Sequence, residues 1–539
     1  MTQQKYDRRV EPEGHRKGAK TRRVESVGGG RAATVNEQAL QLGLRLGTAE
    51  NPKGAVGTAA VGQPTAAMRA APKPRHKEQR ATSATMQEVC ERLGDAFEKV
   101  ASNRGAPGPD RQSIDQVREH WSELEPKLRD GLLDGTYEPG NIRRVWIPKA
   151  NGGQRGLGIP NVVDRVVQEA VRMVLEPLYE PRFHEASHGF RPGRSCQTAI
   201  EAAYEHIDDG CEWVVDIDLA NFFDQVCHQR LMARLAQRVD NHALLVLIGK
   251  MLKAKVVMPD GVLVSTEEGV PQGGPLSPLL SNIVLDELDQ ELDRRGHRFV
   301  RYADDANIYV RSERAGQRVM ASITVFIEKR LRLKVNAAKS AVARPEERHF
   351  LGFRLRREPM DGSVEVLLSK RSKGRIEAKI RVLTPRNWGQ SLRRCIELTN
   401  EYLRGWIGFF GICTAGEKPT FELLDMHIRR RLRAIQVKHW RTKRTVARRL
   451  IGLGVAPKLA EVCTYAGRKS GWALAHTKAI HMGLRNAYFA ERGLVSVASE
   501  WKRLGKHIVA PAQLRLRWDR RGRDPAGGGV TTVVPKSRM

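Results

Sequence analysis

Arg301-Tyr302-Ala303-Asp304-Asp305-Ala306 sets two adjacent carboxylates between Arg298-Phe299-Val300 and Asn307-Ile308-Tyr309-Val310. Both flanks carry β-branched and aromatic residues, which predicts strand, tight turn, strand. A turn holds two carboxylates side by side at low cost when a divalent cation neutralises their repulsion. Asp-Asp is also ordinary turn chemistry, because aspartate side chains hydrogen-bond to nearby backbone. The choice between the two rests on other parts of the chain.

The second acidic stretch is Glu212-Trp213-Val214-Val215-Asp216-Ile217-Asp218-Leu219. A strand this apolar belongs in a core, yet Asp216 and Asp218 interrupt it at period two, which puts both on one face. An unpaired buried carboxylate is costly, so either the strand end is wet or a cation sits there. The continuation Ala220-Asn221-Phe222-Phe223-Asp224 adds two aromatics and another acid, which favours the cation over a solvated surface strand. A strand Asp with a hairpin Asp-Asp suits two-metal nucleotidyl transfer. There one ion activates an attacking 3′-oxygen and the other steadies the leaving pyrophosphate, about 3.5–4 Å away. Oxygen ligands on a hard cation that keeps some water point to Mg²⁺.

Between the two clusters, Glu268-Gly269-Val270-Pro271-Gln272-Gly273-Gly274-Pro275-Leu276-Ser277-Pro278 is too rich in Gly and Pro for regular structure. Its glycines at 273 and 274 would let backbone approach a nucleotide closely. A helix over about 279–295 follows, with Leu280, Ile283, Val284, Leu288 and Leu292 as its buried side.

The whole chain of 539 residues is long enough for two or more domains. Lys and Arg number 92 against 61 Asp and Glu, a net charge of +31 that calls for a polyanionic partner. No apolar run approaches the roughly 20 residues that span a bilayer, and the polar, basic start does not read as a secretory signal. The 7 cysteines are scattered, with no C-x-x-C pair. This predicts a reducing cytoplasm and small buried thiols rather than disulfides or a zinc knuckle.

Residues 1–78 form a basic leader expected to be mostly disordered, with a linker at 72–77. Met86, Val89, Cys90, Leu93, Phe97 and Val100 predict a helix from Thr85, followed by a Gly/Pro-rich loop at 103–110. Arg143 to Lys149 and Gln154 to Pro160 read as a hairpin. It brings Lys149 and Arg155 near its tip, where they either grip phosphates or are merely solvated. Asp164 to Glu180 and Cys196 to Asp208 read as helices. They flank Ser187-His188-Gly189-Phe190-Arg191-Pro192-Gly193-Arg194-Ser195, whose arginines are either backbone clamps or loop charge.

In this order the motifs resemble those of group II intron-encoded reverse transcriptases. They are Ile147-Pro148-Lys149 with Gly153-Gln154-Arg155 and Ile159-Pro160, the 189–195 turn, Asp218 with Phe222-Phe223-Asp224, the 271–278 loop, Tyr302-Ala303-Asp304-Asp305 and Phe350-Leu351-Gly352-Phe353. The resemblance implies an α+β right-hand polymerase fold, fingers and palm with an antiparallel palm sheet, followed by an all-α thumb/maturase domain. It implies Asp218, Asp304 and Asp305 as catalytic metal ligands for two Mg²⁺, Asp305 less directly than Asp304. By the same resemblance Lys149 and Arg155 would hold a dNTP triphosphate, and Phe223 would pack under the sugar and disfavour a 2′-hydroxyl. Gln272 and Gly273 would line the nucleotide pocket, Phe350 to Phe353 would form a primer grip, and the 103–110 loop would meet the template. Gly156 departs from the proline commoner after that arginine, and Pro107-Gly108-Pro109-Asp110 departs from the usual loop pattern.

The expected domains are 85–365 for fingers and palm, 370–445 for the maturase-specific (thumb, or X) region, 446–510 for a basic helical continuation and 511–539 for a mobile basic tail. Residues 370–445 interleave cations with Tyr402, Trp406, Phe409 and Phe410, which suits a packed bundle with an RNA-facing side. The implied function is RNA-directed DNA polymerisation together with binding of the parent intron RNA. Its partners would be that RNA, a DNA or RNA primer, dNTPs and target DNA, with no membrane. Many relatives append a zinc-bound endonuclease on two C-x-x-C pairs. None occurs here, so no DNA cleavage is expected and a primer would come from elsewhere, such as a replication fork. Two alternatives stay open: a splicing cofactor whose polymerase is dormant, and a reverse transcriptase with a non-intron role such as phage defence.

Overall fold

The computed structural model describes residues 84–148, 152–385, 387–466 and 470–505. The expected leader, the linker at 72–77, Lys149 and the tail from 511 lie outside the described residues. Helices α1 (Met86–Glu91), α2 (Leu93–Ser102), α3 (Ile114–Glu119) and α4 (Trp121–Leu133) come first. Thr85 and Glu88 close a reciprocal capping box that starts α1 where the apolar period begins. The single helix expected from Thr85 breaks at Arg92, whose ψ of −2 leaves the helical well for one residue.

Strands β1 (Ile142–Pro148) and β2 (Gln154–Ile159) form the expected hairpin, with Trp146 opposite Gly156 and Ile147 opposite Arg155. The short strands β4 (Val256–Val257) and β5 (Leu263–Val264) extend it to a four-stranded sheet in the order β2-β1-β4-β5. Helices α5 (Val162–Tyr179) and α6 (Cys196–Asp208) lead to β3 (Trp213–Ile217). After α7 (His228–Ala236) and α8 (His242–Leu252), helix α9 runs Ser277–Arg294. It begins two residues before the expected 279, inside the Gly/Pro stretch, because Pro278 sits in its first turn, where a missing N–H costs no bond.

The palm sheet takes the order β6-β7-β3-β8, with β6 (Arg298–Tyr302), β7 (Asp305–Val310) and β8 (Ala341–Ala343), all pairs antiparallel. Helix α10 (Glu313–Phe326) covers one face. Alternation along the strands feeds two cores. Val215, Ile217, Phe299 and Ile308 pack with α1, α2, α5 and α9, whereas Val214, Val300 and Tyr309 pack with the helices that follow the palm. The sheet is therefore buried on both faces, and polar function is confined to its ends.

Strands β9 (Phe353–Arg357) and β10 (Val364–Leu368) form a hairpin. Helices α11 (Lys370–Leu383), α12 (Leu392–Phe410), α13 (Lys418–His439) and α14 (Lys443–Gly452) then build the expected all-α region, which five shorter helices continue to Leu504 among the described residues. Its core includes Leu403, Trp406, Phe421, Ile428 and Leu432. All seven cysteines are free, but Cys196, Cys227 and Cys463 are only half-buried, so the expectation of uniformly buried thiols fails at those three. Among the described residues no helix is long and apolar enough to cross a membrane.

Candidate active site

The carboxylate turn closes the β6–β7 hairpin, with Tyr302 opposite Asp305. Ala303 reverses the chain in the left-handed region, at φ 55. Asp304 is half-buried and Asp305 exposed. Although Asp305 keeps contact with solvent, the density of protein around its carboxyl, then the negative charges of Asp304, Asp216 and Asp218, push it up to about 7. Asp304 is also raised, first by desolvation and further by Asp218, while Arg155 and Lys339 pull it the other way. The three expected ligands thus share one field, and Arg155 reaches into it from the fingers hairpin.

Asp218 stands just past the end of β3 rather than within it. Its backbone N–H donates to Ser340 Oγ at 3.0 Å, and its carbonyl accepts from Asn336 at 2.8 Å. Lys339 Nζ lies 3.1 Å from Asp218 Oδ2. Asp216 follows a different course from the shared cation site that period two suggested. Arg348 binds its Oδ2 through Nε at 2.8 Å and Nη2 at 2.6 Å, so an arginine already neutralises it.

Among the described residues no three side chains close into a preformed metal cage. Asp218, Asp304 and Asp305 nevertheless offer an all-oxygen donor set, and two of the three carboxyls are raised. That chemistry fits a hard divalent cation. In this structure Lys339 supplies the positive charge on Asp218.

Beneath the turn lies a residue that sequence reasoning passed over. Arg301 is fully buried and pairs with the equally buried Asp289 of α9. Nε donates to Asp289 Oδ1 at 2.7 Å and Nη2 to Oδ2 at 2.6 Å. Nη1 donates to Asn282 Oδ1 at 3.1 Å and to the Ala303 carbonyl at 2.9 Å, and Nη2 also reaches Ser187 Oγ at 2.7 Å. These bonds use every N–H that a guanidinium offers. The loop before α6 lies against the same turn. His188 N–H donates to the Arg301 carbonyl at 2.8 Å, and a Cβ on Gly189 would stand 2.3 Å from Ala303 N. Arg191 in that loop is a backbone clamp, donating to the carbonyls of His184 and Ser187 at 2.6 and 2.8 Å.

On the nucleotide side, Arg155 Nε donates to Gln272 Oε1 at 2.7 Å, so two of the expected substrate residues meet. Gly158 N–H donates to the Gln272 carbonyl at 2.7 Å. Gly273 has φ 133, and a Cβ there would stand 2.3 Å from the Gly158 carbonyl. Its close approach is therefore to the fingers strand, which also supplies the reason for glycine. Phe223 is buried and meets Phe222 edge-on at 5.2 Å. Its carbonyl accepts from Val270 at 2.6 Å, which ties it to the 268–278 loop. The Phe350–Phe353 turn is closed by reciprocal backbone bonds of 3.0 and 2.8 Å. Ser372 of α11 donates to its Gly352 carbonyl at 2.7 Å. The 103–110 loop is pinned through its carbonyls, Pro107 by Arg143 at 2.7 Å and Ala106 by Arg165 at 2.8 Å.

Residues 147–355 match the reverse transcriptase (RNA-dependent DNA polymerase) family, and residues 373–451 match the group II intron, maturase-specific domain. Protein YkfC of Escherichia coli (strain K12) is 42% identical over 209 residues, covering 38% of this chain and 55% of that protein. The group II intron-encoded protein LtrA of Lactococcus lactis subsp. cremoris is 28% identical over 413 residues, 59% of this chain and 68% of LtrA. The putative COX1/OXI3 intron 2 protein of Saccharomyces cerevisiae is 34% identical over 202 residues, 37% of this chain and 23% of that protein. The chain thus spans about half the length of YkfC and about two thirds of LtrA. With a reverse transcriptase domain leading and a group II intron maturase-specific domain following, the chain is similar to group II intron-encoded proteins such as LtrA.

Proposed function

We propose that this protein copies RNA into DNA and binds its parent group II intron RNA to assist splicing and mobility. The observation that carries the polymerase half is the register that pairs Ile217 with Ala306 and Tyr302 with Asp305, setting Asp218 at the end of β3 beside the turn that bears Asp304 and Asp305. Two Mg²⁺ held by these carboxylates would supply an activated primer 3′-oxygen and charge neutralisation at the leaving pyrophosphate. Arg155 and Lys149 bind the triphosphate, and the bond from Arg155 to Gln272 aligns the guanidinium before substrate arrives. Phe223, fixed by its bond to Val270, packs under the incoming sugar and selects a dNTP.

The helical region from 370 binds the intron RNA through cations carried on packed helices, such as Arg429 and Arg430 of α13. The primer is DNA or RNA, and target DNA receives the copy. Free thiols throughout suit a reducing cytoplasm.

Primer extension on an RNA template with Mg²⁺ and dNTPs tests this reading. Asp304→Ala should extend no primer yet retain binding of intron RNA. A variant that still extends the primer would sink the metal assignment.

A further inference from the structure

At the end of the palm sheet away from the carboxylate turn, a cleft of about 680 Å³ opens between the C-terminal end of α9, the β6 and β7 ends, and α10. Strand β7 runs from Asp305 at the turn to Val310 at the cleft. Five residue steps of about 3.3 Å separate the two by roughly 17 Å.

Arg295, Arg298, Arg311 and Arg318 all line the cleft, with His297, and no carboxylate does. Two of these arginines have flanking partners: Arg295 reaches Glu291 at 2.6 Å and Arg298 reaches Asp209 at 3.0 Å. Arg311 and Arg318 are exposed, and neither has an ion-pair partner among the described residues. The positive potential is felt locally. Burial and then Arg295 hold His297 below its ordinary value, while Arg298 and Arg311 act to lower the Cys211 thiol against the larger effect of its burial.

Guanidiniums converging from four elements on one concavity concentrate field lines and present forks that match phosphate oxygens. The lining also says which phosphate-bearing ligand is suited. Its one tyrosine, Tyr309, is buried and packed against His206 at 5.3 Å, which leaves the half-buried imidazole of His297 as the only ring in that lining placed to meet a base. A site with four guanidiniums and one half-buried imidazole grips phosphates far more than bases, which suits a strand rather than a nucleoside phosphate. We propose that this cleft binds the sugar–phosphate backbone of a nucleic acid strand, separately from the carboxylate turn. The inference rests on the chain handling nucleic acid, not on its polymerising one.

The test uses the full chain, a fluorescently labelled RNA oligonucleotide and anisotropy titrations across a salt series, without dNTPs. Arg311→Gln/Arg318→Gln should lower affinity and flatten the log–log salt slope by about 1.4, the loss of two phosphate contacts on a single strand. Both side chains are exposed, so the melting temperature should hold, as should primer extension at saturating primer–template. Lys253→Gln/Lys255→Gln removes the same charge from exposed finger positions and should flatten the slope less. An unchanged slope in the arginine variant, or equal flattening in both variants, overturns the proposal. So does displacement of RNA by ATP or inorganic phosphate from wild type but not from the arginine variant, which would mark a small-anion site. Loss of extension in wild type with the slope change intact would instead break the polymerase reading alone.

Discussion

The two ends of the palm sheet carry opposite charge on the same strands. At one end β3 and β7 deliver Asp218, Asp304 and Asp305; at the other, β6 and β7 deliver Arg298 and Arg311. Their support differs as sharply as their sign. The carboxylate turn rests on a buried, fully bonded Arg301, a glycine contact and a histidine bond. Arg311 and Arg318 are exposed, with no ion-pair partner among the described residues. Chemistry that depends on sub-ångström placement needs the first kind of support, whereas holding a flexible polyanion needs only charge and reach.

The largest effect should come from Asp304→Ala, with primer extension falling by at least about 100-fold, the scale of losing a group that stabilises transition-state charge. Single-turnover extension measures it, and a loss under tenfold would contradict a ligand role. Arg301→Met comes next, because it strands Asp289 in the core and should cost about 3–5 kcal/mol in urea unfolding. Adding Asp289→Leu should recover much of that stability. Extension should stay low, since the Ala303 carbonyl has still lost its donor. If stability and activity return together, Arg301 supports the fold alone and the contrast between the ends weakens.

Gly189→Ala should reduce extension by about 10- to 100-fold, because the new methyl must move Ala303 and with it Asp304. Melting temperature should change little relative to Arg301→Met. Wild-type activity in this variant would show that the turn tolerates displacement.

A smaller effect concerns pH. His188 is buried beside Arg194, Arg191 and Arg301, with Nδ1 2.9 Å from Thr198 Oγ1. Burial first, and then those arginines, lower its value from 6.5 to about 4. The folded state therefore keeps it neutral while the unfolded chain takes up a proton. Stability present above pH 6.5 is lost progressively as pH falls toward 4, by up to about 2–3 kcal/mol. Unfolding at several pH values should show the loss, and His188→Gln should remove that share of it. His297 at the arginine end is lowered in the same direction, by burial and then Arg295, so it contributes to the same trend.

Much of the carboxylate end was legible from local pattern. Asp304 and Asp305 sit in a hairpin that alternation announces, and Asp218 follows a strand whose apolar run is short and unambiguous. Helix α6 falls on its expected bounds because Ser195 caps it and Asp208 ends it. What remained hidden is what neutralises and holds these groups. Arg301 reads as one more strand cation, yet its partners lie 12, 19 and 114 residues away. Lys339, on Asp218, is 121 residues distant, and Arg348 is 132 residues from Asp216, the acid that looked like a second ligand.

By itself the sequence determined the strand–turn–strand frame that carries Asp304 and Asp305 and the strand that leads to Asp218, since periodicity acts over a few residues. Tertiary structure alone decided that Asp216 is paired and Asp218 is not buried in the ladder. It also decided that Gly273 and Gly189 serve backbone-to-backbone packing, and that four arginines from separate elements share one cleft. Charge pairing and close approach depend on distance in space, and a chain brings remote residues together only once its two cores have closed on either face of the palm sheet.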